Sequence, residues 1–107
     1  MVNSMSTRKD FIEYLLDQIA DEQARVRAMF GEYALYYDNV VVGLVCDNTL
    51  FIKITDGIKC LLGEEMETAP AYPGAKPSFV VSEEFIEDRD KLRALLRVCA
   101  EDVKNKK

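Results

Sequence analysis

The sequence predicts a single α+β domain: an N-terminal helix, an antiparallel β-meander of four to five strands, a short helix, an edge strand and a long C-terminal helix. Three observations carry this. The chain has 107 residues, 49% hydrophobic and 31% charged, ordinary proportions for a globular domain. Apolar residues recur at helical spacing at both ends. Between them the period drops to two, and Asp-Asn pairs punctuate the runs. A chain of this size buries roughly 65% of its unfolded surface, which suffices for one core.

The first predicted helix covers residues 7–22. Phe11, Ile12, Leu15, Leu16, Ile19 and Ala20 make its apolar stripe, and Thr7 with Asp10 resembles a capping box. Residues 25–30 alternate as a strand, and Gly31 breaks or bulges the chain. Three further strands follow at 33–37, 40–46 and 49–55, rich in β-branched and aromatic residues. Asp38-Asn39 and Asp47-Asn48 separate them. Both residue types tolerate the positive φ that two-residue hairpin turns require. Asp56 is placed to cap a short helix over 57–65. Pro70, Pro73, Gly74 and Pro77 predict a loop over 66–77. Ser78–Val81 reads as an edge strand, because Pro77 cannot donate to a ladder. A long helix then runs from Ser82 to about Val103 on a stripe of Leu92, Leu95, Leu96, Cys99 and Val103. It is acidic at its start and basic at its end, as the helix dipole favours. One domain is expected over 1–107, with residues 1–6 disordered.

Two-residue turns set the strand register, and register sets the faces. Uninterrupted pairing puts Ala34, Tyr36, Val41, Gly43, Val45, Leu50, Ile52 and Ile54 on the face expected under the helices. It puts Tyr33, Leu35, Tyr37, Val40, Val42, Leu44, Phe51 and Lys53 on the other. That second face is too apolar to lie bare in water. The plain expectation is cover by the chain's own short helix or Pro-rich loop; a second copy, a partner or a ligand are the alternatives. Tyr33, Tyr37, Val40, Phe51 and Lys53 are the candidate binding residues for a partner or a dimer, since tyrosine often anchors interfaces.

Composition removes much chemistry. The chain has no histidine, the commonest general base and metal ligand. No P-loop, GxGxxG or HExxH occurs. Cys46, Cys60 and Cys99 are widely spaced without a CxxC. They read as buried reduced thiols, which points to the cytoplasm. No catalytic residue, metal site or cofactor is expected. Lys53 as an amine nucleophile would need burial; a snorkelling sheet lysine is the simpler reading. A net charge of −5 opposes direct nucleic-acid binding, and Arg25 with Arg27 is the candidate basic patch. No apolar run approaches the ~20 residues of a membrane span, and the start has no secretory pattern.

From Arg27 to Tyr36 the sequence reads Arg-Ala-Met-Phe-Gly-Glu-Tyr-Ala-Leu-Tyr. Leu50-Phe51-Ile52-Lys53 and Lys76-Pro77 follow in order. In these segments, over residues 8–104, the chain resembles the N-terminal domain of the TfoX (Sxy) competence regulators and their single-domain relatives. Met29-Phe30-Gly31 is the most specific piece. The resemblance implies an α+β fold like that of secretion chaperones, often dimeric, and a loose link to regulation of DNA-uptake genes. Glu32 stands where the family often has a second glycine. The full-length regulators carry a further C-terminal domain; the expectation here is a single-domain member without it.

The functional expectation is a non-enzymatic regulatory or protein–protein interaction module, as a homodimer or with a protein partner. One alternative is a small-ligand-binding protein or minor enzyme using the Tyr33, Phe51 and Lys53 face. The last is a nucleic-acid binder through Arg25, Arg27 and Arg8.

Overall fold

The computed structural model describes residues 7–29 and 32–106, so the expectations for residues 1–6, Phe30 and Gly31 lie outside the described residues. Helix α1 (Lys9–Ile19) leads into strands β1 (Ala24–Met29), β2 (Glu32–Tyr37), β3 (Val40–Cys46) and β4 (Thr49–Ile52). Helix α2 (Asp56–Leu62) and a 3-10 turn (Gly63–Glu65) precede β5 (Thr68–Pro70) and β6 (Pro77–Val81). Helices α3 (Glu83–Glu87) and α4 (Arg89–Asn105) follow. The strands form one antiparallel sheet in the order β1-β2-β3-β4-β6-β5.

Both predicted tight turns form. Asp38 and Asn39 have φ of 53° and 70°, and Asp47 and Asn48 have 51° and 59°. Two positive φ values in succession match the twist of the flanking strands. The β3–β4 pairing follows from its turn, with Val45 opposite Leu50 and Gly43 opposite Ile52. The β2–β3 pairing starts as expected, Tyr37 opposite Val40 and Tyr36 opposite Val41. Leu35 then lies opposite Gly43, which leaves Val42 as the extra residue of a β-bulge. The bulge overturns the predicted faces of β2 and of Val40–Val42, while Val45, Leu50 and Ile52 keep the helix side they were expected on, because one inserted residue reverses the alternation on one side of it only. Leu35, Val42, Val45, Leu50 and Ile52 are all fully buried, in one core with Leu15 and Ile19 of α1 and Leu92, Leu95 and Leu96 of α4. Helix α4 crosses the bulge itself: Cys99 Sγ lies 3.6 Å from the Val42 carbonyl oxygen.

Other boundaries differ for local reasons. Helix α1 ends early, because Ala20 turns left-handed (φ 50°) and its N–H closes on the Leu16 carbonyl at 2.9 Å. Thr7 does not cap α1. Its buried hydroxyl donates to Glu32 Oε1 (2.7 Å) and accepts from the Asn48 N–H (3.1 Å). Glu32 Oε2 accepts from the Asp47 N–H at 3.2 Å, so this residue ties the start of the chain to the β3–β4 turn. Thr55, not Asp56, caps α2 through the Ile58 N–H (3.3 Å). The predicted long helix is broken at Asp88, which leaves helical geometry (φ −92°, ψ 93°) and caps α4 through the Lys91 N–H. The predicted loop over 66–77 contains β5, which takes the sheet edge. Strand β6 is therefore internal, and Pro77 is tolerated because it ends the ladder opposite Pro70.

The Tyr37 hydroxyl donates to Asp21 Oδ2 at 2.6 Å and holds the turn after α1 against β2. That bond, more than any other contact, keeps the Asp21 carboxyl below the usual carboxylate range. Burial first, and the same bond second, pushes the Tyr37 phenol up. A carboxyl lowered in the fold stabilises above its unfolded pKa of about 4, and that contribution is lost as pH falls through the folded value. A raised phenol costs stability only above about pH 10. Tyr37→Phe is expected to cost about 1 kcal/mol at neutral pH. In urea titrations the gap between wild type and variant should shrink as pH falls from about 5 toward 3. A gap that does not change with pH would show that ionised Asp21 does not accept this bond.

Candidate functional site on the open sheet face

Helices α1, α2, α3 and α4 bury Leu15, Ile58, Ile86 and Leu95 in the one core on a single side of the sheet. The opposite face is the candidate site. The register places Arg25 and Arg27 of β1, Ala34 and Tyr36 of β2, Val41 and Leu44 of β3, Phe51 of β4 and Val80 of β6 on it, and Lys53, just past the end of β4, borders it. Ala34, Cys46 and Phe51 are buried here, outside the main core. The Pro-rich segment borders this face, with Ala71, Tyr72, Ala75 and Pro77 turned to it. Of the two covers the sequence offered, the loop takes the role in part, while α2 packs into the core through Ile58.

Between loop and sheet runs a groove of about 630 Å³. Val41, Leu44, Ile54 and Val103 make it apolar, and Thr55 and Ser78 add hydroxyls. Lys53, Lys76 and Lys106 bring three amines to it, and among the described residues no carboxylate lines it. A second cavity of about 500 Å³ lies against Met29, Glu32, Tyr33, Leu44 and Cys46. Leu44 and Tyr72 line both, so the two meet there. Tyr72 is 55% exposed, the most exposed large apolar side chain among the described residues.

The structure separates the residues that the sequence grouped. Phe51 lies on the open face and Lys53 borders it in the groove, Phe51 buried and Lys53 exposed. Tyr37 belongs to the core on the helix side, and Val40 packs against that core. Tyr33 packs there too, while also bordering the smaller cavity. The Val42 bulge is the cause, since it removes the common face that uninterrupted pairing implies. Arg25 and Arg27 are both exposed on the open face. The Arg25 guanidinium stands 5.2 Å from the centre of the Tyr36 ring and donates to Asn39 Oδ1 at 3.2 Å. Sequence reasoning missed Tyr72, Lys76 and Lys106. The available signal was a large aromatic set between Pro70 and Pro73 with no helical or strand stripe to absorb it.

The cysteines divide. Cys46 and Cys99 are buried as predicted, but Cys60 is exposed on α2. A short helix resting on one side leaves the other to water, and Ile58 is the residue that α2 buries. Burial pushes the Cys99 thiol up to about 12 and raises that of Cys46. At neutral pH a thiol reagent should label Cys60 quickly, and Cys46 and Cys99 only on unfolding. Mass spectrometry of labelled peptides checks this; fast labelling at Cys99 would mean that α4 lifts off the sheet. Among the described residues no cluster of three or more His, Cys, Asp or Glu is placed to hold a metal ion. No helix among them is long and apolar enough to cross a membrane.

The family model of the TfoX N-terminal domain matches residues 15–103, from within α1 to the last turn of α4. An uncharacterized 12.7 kDa protein in the trpE 5′ region of Spirochaeta aurantia is 39% identical over 97 residues, which cover 90% of this chain and 83% of that protein. Every strand and every groove-lining residue except Lys106 fall inside the family match. This chain belongs to the TfoX N-terminal domain family.

Proposed function

We propose that this chain is a non-enzymatic regulatory module of the competence-regulator type, which acts in the cytoplasm by binding a partner protein through its open sheet face. The groove between β3, β4 and the 71–77 segment is the observation that carries the reading. It joins an apolar floor to an exposed aromatic, the composition of a protein-binding surface. The absence of histidine favours binding over catalysis, and Lys53 stands exposed rather than enclosed as a nucleophilic amine would. Three free cysteines fit a reducing compartment. Among the described residues no strand pairs with the outer side of β1, and such an edge favours a homodimer as the form in which the module works.

Affinity purification from the native cell tests the reading, with Tyr72→Ala as the control. Phe51 is a poor control because it is 9% exposed, and a charge there would disturb the fold. Tyr72 is exposed, so its truncation leaves the core intact. Loss of an aromatic anchor typically costs about 2 kcal/mol, roughly thirtyfold in affinity. A partner retained by wild type and lost by Tyr72→Ala is expected. A partner held equally by both would move the interaction away from this face.

A further inference from the structure

The chain is acidic overall, with 19 Asp and Glu against 14 Lys and Arg, yet one surface is locally cationic. The exposed acidic residues Asp10, Glu13, Asp17, Glu83, Glu84 and Glu87 lie on helices α1 and α3. The open sheet face and its groove carry Arg25, Arg27, Lys53, Lys76 and Lys106. Carboxylates that border it include Glu32, already occupied by Thr7 and the Asp47 N–H, and Asp102, which accepts from the Gly57 N–H at 2.7 Å and shares its charge with Lys106 one helical turn away. Among the described residues Lys53, Lys76 and Lys106 have no ion-pair partner within 4.0 Å, although Arg8, Lys59, Arg89 and Lys104 each have one. Three unpaired ammonium groups beside an apolar floor define what is missing: negative charge attached to apolar bulk.

Resting on the reading of this face as a protein-binding surface, we propose that the groove takes an acidic, apolar-bearing segment of a partner protein. Its carboxylates meet Lys53, Lys76 and Lys106, and an apolar side chain enters between Leu44 and Tyr72. Each cavity alone has the ~300–1,000 Å³ of a small-ligand pocket, but the two meet at Leu44 and Tyr72, which suits a length of chain. A second copy docked face to face would set the same cations against one another across the two-fold axis. Single-stranded nucleic acid needs successive rings to stack on, and the groove offers one exposed ring, Tyr72.

Selection of random peptides on the immobilised full chain tests this, followed by fluorescence polarisation of the enriched peptides. The expected peptides are rich in Asp and Glu and carry at least one large apolar residue. The Lys53→Glu, Lys76→Glu double variant alters exposed side chains only, so circular dichroism should remain that of wild type. It should bind those peptides about tenfold or more weakly, and added salt should weaken wild-type binding. Peptides with their acids changed to lysine should regain affinity for the double variant. Enrichment without acid excess, no enrichment, or equal binding by the double variant overturns the proposal. So does oligo-thymidylate binding where the peptides fail. Non-acidic peptides that bind wild type but not Tyr72→Ala would remove the acidic-segment assignment and leave the protein-binding reading standing.

Discussion

Gly43→Ala is expected to destabilise the domain by about 3 kcal/mol or more, a large share of the stability of a domain this size. A Cβ at this position would stand 2.1 Å from the Phe51 carbonyl oxygen and 2.9 Å from Ile52 Cδ1. The first neighbour is backbone of the paired strand and cannot rotate away. Strands β3 and β4 would have to separate where the bulge meets α4, which sits on Val42 through Cys99. Urea unfolding followed by circular dichroism measures the effect. A cost below about 1 kcal/mol would mean that the two strands do not approach this closely. Because Gly43 also lines the groove, any folded fraction of the variant should bind a partner less well.

Leu35→Ala is expected to cost roughly 2–5 kcal/mol, and Leu44→Ala clearly less. Leu35 is fully buried in the core, whereas Leu44 is half-buried and lines both cavities of the open face. Removing Leu35 leaves a void under closely packed helices, while water and loop already border Leu44. The pair is informative because uninterrupted β2–β3 pairing puts the two leucines on one face. Similar costs for both would support that register over the bulged one. A large difference, with Leu44→Ala still folded, supports the bulge and makes Leu44→Ala a second probe of partner binding.

Most of the elements were legible in the sequence, though β5 and the break between α3 and α4 were not. The stripe of Leu92, Leu95, Leu96 and Cys99 specifies α4, and all four are buried. The Asp38-Asn39 and Asp47-Asn48 pairs specify their turns, because local backbone chemistry decides a two-residue loop. The β3–β4 register follows from the second turn without further information. The family was legible too, in the segment around Met29, since a contiguous motif survives without knowledge of the fold.

The site was legible only in part. Phe51, Arg25 and Arg27 share the open face and Lys53 borders it, while Tyr37 and Val40 do not. One residue made the difference: a bulge at Val42 has no local signature in a run of three valines and a glycine, each of which fits a plain strand. The bulge lies where Cys99 of α4 meets the Val42 carbonyl and where Gly43 comes close to Phe51, contacts between segments far apart in the chain. Lys76 and Lys106 lie far from Lys53 in sequence and meet it only when the 71–77 segment folds along the sheet and α4 ends beside it. Sequence alone thus determined the α+β class, the helical segments without all their breaks, the turns and the family, all of which rest on neighbours in the chain. Tertiary packing decided the two faces of the sheet and the cationic groove, because both depend on contacts between distant segments and on a single-residue shift in pairing.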